Sequence, residues 1–309
     1  MAEKKLGLAL SSGAARGWAH IGALRALQEI GAKPSVIAGC SVGALVGGAY
    51  LLDAMEAFES WARSLQPFSA LEHFSFKVTR GGFINAEPAF DAFRQYDRNI
   101  EDLPTAYGAV AVDLGTGEEI TITTGSVIEA ARASSAIPVA LHAVERAGRW
   151  LVDGALANPA PISLARALGA DVVICVDLNA VPKVLDRFEK RPAQLPALVE
   201  PKDAPRPGVS GAVARLIEDT QAEIQRQVAL AKARANASPH LFETAYAAAD
   251  IFQMQLARAR TELEPPDILI RPDMRDALPT AFDRADEFIE EGRRALLARR
   301  QEIETLLSD

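Results

Sequence analysis

The pentapeptide Gly39-Cys40-Ser41-Val42-Gly43 constrains this chain more than any other stretch. It reads G-x-S-x-G, with the β-branched run Val36-Ile37-Ala38 before it and Ala44-Leu45-Val46 opening a helix after it. A sharp strand-to-helix turn of this kind holds its serine in a strained conformation at the carboxyl end of a sheet, and it needs small neighbours. The positive end of the following helix favours negative charge developing at the serine. Ser41 is therefore a candidate nucleophile, with Gly39 and Gly43 keeping side chains out of the bend. A turn that only brings a helix close to a sheet would use similar residues. The strand before and the helix after favour the nucleophile.

Upstream, Leu6 to Leu10 reads as a buried first strand, followed by the small-residue loop Ser11-Ser12-Gly13-Ala14-Ala15-Arg16-Gly17. Trp18, Ile21, Leu24, Leu27 and Ile30 then recur at helical spacing. Such a loop exposes backbone N–H groups at a helix start, a site for a phosphate or for the transient oxyanion of acyl transfer. The glycine spacing fits neither G-x-G-x-x-G nor the P-loop. The oxyanion reading fits better, because loops at the carboxyl ends of neighbouring parallel strands converge and the next strand delivers Ser41.

The third element is Trp150-Leu151-Val152-Asp153-Gly154-Ala155, a strand end presenting an aspartate before a glycine turn. Asn158-Pro159-Ala160-Pro161 then reads as a helix start with proline in its first turn, leading into a helix over Ile162 to Leu168. A carboxylate so placed could activate a serine hydroxyl directly. Taken alone, Asp-Gly is an ordinary turn signal.

Together these elements resemble the patatin-like phospholipase family, from about Lys5 to Asn179. The segment Ala131-Arg132-Ala133-Ser134-Ser135-Ala136-Ile137-Pro138 looks like that family's Ser-rich stretch. The chain is most similar to small bacterial members related to the catalytic domain of neuropathy target esterase. The resemblance implies a three-layer α/β/α fold with a mainly parallel central sheet, and hydrolysis of lipid carboxylic esters. It implies a Ser41–Asp153 dyad without a catalytic histidine, and an oxyanion hole from the backbone of Gly13 and Ala14. Arg16, Gly17 and Gly154 fall at supporting motif positions. Arg16 reads as a brace for the loop more than as a catalyst, with contact to a substrate phosphate as the alternative. The family loop carries three consecutive glycines where this chain has Ser12, Gly13 and Ala14. Gly13 is then expected to be the least replaceable of the three, because a side chain there would crowd the hole and resist the positive φ that glycine permits. The altered loop also leaves open a regulatory or binding protein on the same fold with vestigial turnover. No metal or organic cofactor is implied. The implied partners are a lipid ester substrate with peripheral membrane contact, and no nucleic acid.

Of four histidines, His20, His73, His142 and His240, only His142 is a credible third member of a triad, since it precedes Asp153 by one hairpin. His20 reads as a packing or hydrogen-bonded residue. A net charge of −8 argues against nucleic acid and against strong attraction to anionic membrane. Two cysteines, Cys40 and Cys175, fall in apolar runs and read as reduced thiols of a cytoplasmic protein. The run after Lys4-Lys5 is too short for a signal peptide. Ser35 to Leu52 carries no charge, but its glycines suit a strand, an elbow and a helix better than a membrane span.

Residues 1–181 read as the catalytic core and 182–208 as a proline-rich loop. Residues 209–309 read as a helical portion with one added strand, packed on the same domain. Within the core, a helical region runs to about Arg63, and Ala106 to Asp113 and Glu119 to Thr123 form an antiparallel pair. Ser126 caps a helix through Ala133, and Leu141–Val144 with Arg149–Val152 make a hairpin delivering Asp153. Beyond the loop, Ala212–Ala235 and Ala245–Leu263 read as helices, Asp267–Ile270 as a strand and Ala281–Leu307 as one closing helix. Seven of the twelve phenylalanines, 58, 68, 74, 76, 83, 90 and 93, cluster after the elbow. They suit an acyl pocket or ordinary core packing equally.

Overall fold

Short β-branched runs separated by helical periodicity build a parallel sheet whose strands are buried on both faces. In the computed structural model, residues 4–65, 90–138, 141–179, 241–274, 277–278 and 280–308 are described. By internal contacts the chain divides into two units, residues 1–184 with 249–309, and residues 185–248. The second lies outside the described residues except for the first turns of one helix. So do the proline-rich stretch, the expected helix at 212–235, His73, His240 and phenylalanines 68, 74, 76 and 83.

β1 (Leu6–Leu10) leads through a 3-10 turn, Ala14–Gly17, into α1 (Trp18–Glu29). β2 (Val36–Cys40) stops at Ser41, and α2 (Val42–Leu51) and α3 (Met55–Ser64) follow. The single helical region expected here is broken at Asp53, which takes φ 57. β3 (Ala106–Asp113) and β4 (Glu119–Ile122) precede α4 (Val127–Ser134), capped by the Ser126 side chain accepting from the Glu129 N–H. β5 (Val144–Arg146) and β6 (Arg149–Asp153) form the hairpin that ends at Asp153.

α5 (Ile162–Ala167) starts at Ile162 as expected, with Pro161 as its cap and not in its first turn. The preceding Pro159 lies outside the helix, and its carbonyl accepts the Ser12 N–H at 2.8 Å. β7 (Val172–Val176), α6 (Leu241–Leu263) and β8 (Ile268–Ile270) come next. The expected closing helix is two helices, α7 (Ala285–Leu297) and α8 (Arg300–Ser308). The turn between them lets Leu296 and Ile303 both be buried and lets Arg299 reach the Leu269 carbonyl of β8 at 3.2 Å.

The sheet runs β5-β6-β3-β2-β1-β7-β8, with β4 paired to β3. Pairs from β3 through β8 along this order are parallel, while β4, β5 and β6 join antiparallel. Alternate side chains face opposite layers. Leu6, Leu8, Leu10, Ile37, Ile174 and Val176 pack beneath α1, α2, α3, α4 and α7. Ala9, Ala38, Val110, Val173 and Cys175 pack against α5 and Ala257 of α6. Both cysteines are buried and unpaired. Of the clustered aromatics, Phe58 and Phe93 stack with Trp61 at 5.5–5.9 Å. With Phe90 they also line an apolar cavity of about 40 Å³ between α2 and α4. Among the described residues no helix is long and apolar enough to cross a membrane.

α7 is held to α1 by close backbone approach. A methyl group on Gly22 of α1 would strike the Ile289 carbonyl of α7, and one on Gly292 of α7 would strike that of Ala19. Gly22→Ala and Gly292→Ala should each lower unfolding free energy in urea by about 1–3 kcal/mol, the usual cost of overpacking. Wild-type stability in both would contradict this helix contact.

Candidate active site

β3 sets the spacing of the site. Cys40 pairs with Val110 and Asp153 pairs with Ala111, the next residue along. The residue after Cys40 and the last residue of β6 are thereby brought level with Ala111, on either side of β3. Ser41 Oγ donates to Asp153 Oδ2 at 2.7 Å. The other carboxylate oxygen accepts the Ala155 N–H at 2.8 Å. The hydroxyl thus meets the carboxylate directly, without an imidazole between them. His142 is half-buried in the stretch before β5. Both Ser41 and Asp153 are buried. Burial pushes the Asp153 carboxyl up to about 6, against the opposing hydrogen bonds from Ser41 and Ala155. A carboxylate so raised is a stronger base than an exposed aspartate.

Ser41 has φ 55 and ψ −123, a region that only glycine adopts without strain. Surrounding contacts hold it there. Its N–H donates to Ser134 Oγ at the end of α4, at 2.8 Å. Its carbonyl accepts from Ala44 and Leu45 at 2.9 and 3.2 Å. The motif glycines mark places where backbone comes too close for a side chain. A methyl on Gly43 would meet the Leu10 carbonyl, on Gly39 the Ala44 backbone, on Gly17 the Val42 side chain and on Gly154 the Val110 carbonyl.

The loop after β1 is tied on every side. The Ser11 N–H donates to Val176 O at 3.1 Å and the Ser12 N–H to Pro159 O. Ser11 Oγ accepts the Leu178 N–H at 2.9 Å. His20 Nε2 lies 2.8 Å from Ser11 O. Burial holds the His20 imidazole down to about 4, so it is neutral and donates that proton. Ser12 Oγ sits 3.3 Å from Asn179 Oδ1 and 3.1 Å from Gln253 Oε1. Arg16 is 2% exposed, and its guanidinium forms a two-pronged ion pair with Asp250. Among the described residues, the Gly13 and Ala14 N–H groups meet no protein acceptor.

One expectation about this loop is corrected. Gly13 has φ 163, an extended value, and the positive φ belongs to Ala14, at 50. The steric ground for keeping Gly13 stands without the φ one, since a Cβ there would lie 3.1 Å from Leu178 Cβ. Ser134 was legible only as part of a serine-rich segment. Asp250 and Gln253 gave no signal, lying in an Ala-rich helix more than 230 residues from their partners. Among the described residues no group of three or more His, Cys, Asp or Glu side chains is arranged to hold a metal ion.

Comparison with known proteins shows which family the chain resembles. Residues 8–166, just over half of the 309-residue chain, match the family model described as patatin-like phospholipase. An uncharacterized NTE family protein of Mycobacterium tuberculosis is 40% identical over 177 residues, 57% of this chain and 49% of that protein. A second uncharacterized NTE family protein of that organism is 31% identical over 305 residues, 96% of this chain and 47% of its own length. Patatin-like phospholipase domain-containing protein 6 of Mus musculus is 30% identical over 186 residues, 57% of this chain and 14% of that protein. The chain spans about half the length of the mycobacterial relatives.

Two outcomes follow for stability. Ser134→Ala leaves the buried Ser41 N–H without its acceptor and should cost about 1–3 kcal/mol in urea unfolding; an unchanged midpoint would show that Ser134 does not brace the elbow. Asp153 binds its proton more tightly folded than unfolded, so its favourable contribution is complete below pH 4 and is lost as pH rises through about 6. The melting temperature of Asp153→Asn relative to wild type should therefore climb between pH 4 and 7. A difference flat across that window would mean the carboxyl is not shifted.

Proposed function

Because this chain belongs to the patatin-like phospholipase family, we propose that it is a serine hydrolase of lipid carboxylic esters, working through a Ser41–Asp153 dyad. Family membership supports lipid esterase or phospholipase chemistry in general. The observation that carries the finer reading is the 2.7 Å hydrogen bond from a strained, buried Ser41 to a carboxylate of raised proton affinity.

In the proposed first step, Ser41 Oγ attacks the acyl carbonyl carbon as Asp153 Oδ2 accepts its proton. The carbonyl oxygen becomes an oxyanion, taken by the N–H groups of Gly13 and Ala14, with Val42 adjacent in sequence to the nucleophile. Collapse expels the alcohol portion, which leaves with the proton from Asp153, and the acyl group stays on Ser41. Water then attacks the acyl-enzyme while Asp153 accepts its proton. Breakdown returns that proton to Ser41 and releases the fatty acid. Donors fixed before the reaction stabilise the charge without having to reorganise. Arg16 is excluded from direct contact with substrate by its burial and its pairing with Asp250. Its role is to brace the loop.

A lipid hydrolysis panel with purified variants tests this. Ser41→Ala should lower turnover by about 10⁴–10⁶, and Asp153→Asn by a similar order, while folded His142→Ala should keep near wild-type rates. Collapse of activity in His142→Ala would replace the dyad with a triad. Since Asp153 must be ionised to act, kcat/KM should rise with pH through a midpoint near 6. A midpoint near 4 would show that the base is not this buried carboxylate.

A further inference from the structure

The Gly13–Ala14 peptide is held in an orientation that its own backbone disfavours. A carbonyl and the N–H of the next residue belong to one planar unit and point in opposite directions. Fixing the Gly13 carbonyl therefore fixes the Ala14 N–H. That carbonyl accepts two hydrogen bonds, from the Arg16 N–H at 3.2 Å and from Arg16 Nε at 3.2 Å. Ala14 meanwhile sits at φ 50, where an L side chain is strained. Turning the peptide by half a revolution would move Ala14 φ into the ordinary negative region and change only ψ at Gly13, a residue that tolerates it. The same rotation would point the Ala14 N–H the opposite way. Local strain thus favours the flip, and the grip of Arg16 opposes it.

The Arg16 side chain is in turn set by Asp250 of α6. Nη2 lies 2.5 Å from Oδ1 and Nη1 3.3 Å from Oδ2, with the two residues 2% and 8% exposed. The planar guanidinium cannot turn its Nε from Gly13 while both ends of its fork are engaged. One turn further along α6, Gln253 reaches Ser12 of the same loop. Asp250 lies outside residues 8–166, the stretch matched by the family.

We propose that Asp250 is a positioning residue: through Arg16 it prevents the Gly13–Ala14 peptide from flipping and so keeps the Ala14 N–H presented to the oxyanion. Its catalytic consequence rests on the reading of this loop as the oxyanion hole. An anchor on a helix remote in sequence compensates for alanine where the family loop has glycine.

The test uses Asp250→Asn, Ala14→Gly and their combination, in the full chain. Asp250→Asn should lower kcat by tenfold or more, up to about 10²–10³, the loss of one oxyanion donor, with KM little changed. Adding Ala14→Gly should restore most of that loss, because glycine takes a positive φ without strain and nothing then drives the flip. A folded Asp250→Asn variant with wild-type kcat would overturn the proposal, as would a double variant no faster than Asp250→Asn. Crystal structures give a readout independent of turnover. The Gly13 carbonyl should be rotated away from Arg16 in Asp250→Asn and returned in the double variant. If it stays on Arg16 in Asp250→Asn, the proposal fails. If the carbonyl rotates as expected but wild type hydrolyses no ester, the clamp stands and the hydrolase reading falls. Arg16→Met/Asp250→Leu removes both charges together and should rotate the same carbonyl, so poor folding of Asp250→Asn would not shield the idea.

Discussion

The hydrogen bond between Ser41 and Asp153 is the interaction on which the site depends, and the pairing of β2 and β6 with β3 makes it possible. It joins the end of one strand to the end of another across β3, and it does so away from water. Burial has opposing consequences here. It raises the proton affinity of the carboxyl, which suits a base, and it makes an ionised Asp153 a burden on the folded state near neutrality. The Ala155 N–H relieves part of that burden by accepting no compromise in position: it holds the second oxygen at 2.8 Å. The carboxylate is thus fixed before any substrate arrives.

Strain appears at two points of this site, Ser41 and Ala14, both at positive φ without being glycine. Such conformations persist only when their surroundings over-determine them. At Ser41 the surroundings are Ser134, the start of α2 and the glycines that allow close approach. At Ala14 they are Arg16, Asp250 and the bonds that tie Ser11 and Ser12 to β7 and to Pro159. The Ser12–Pro159 bond also links the loop after β1 to the segment that follows Asp153. Ser41, Asp153 and the Gly13–Ala14 loop are therefore parts of one hydrogen-bonded frame.

Much of this frame was legible in the sequence because it is local. Val36 to Cys40 announces a buried strand, the glycines around Ser41 announce a tight bend, and Asp153-Gly154 announces a strand end. The supports were not legible, because they join residues with no pattern between them. Asp250 lies in a helix whose periodicity says nothing about Arg16, and the strain at Ala14 depends on where the Gly13 carbonyl is pulled. Even within helices, tertiary demand altered the outcome. The run from Ala285 to Ser308 has no glycine or proline between its two helices, yet it breaks so that Leu296 and Ile303 can both be buried.

The central claim is that Ser41 is the nucleophile. Treatment of the intact protein with a fluorophosphonate, followed by peptide mapping in a mass spectrometer, tests it most directly. The account predicts one stable adduct, on Ser41, formed quickly at pH 7–8 and suppressed by acid as Asp153 takes up its proton. An adduct on another serine, with Ser41 unmodified in the folded protein, would contradict it.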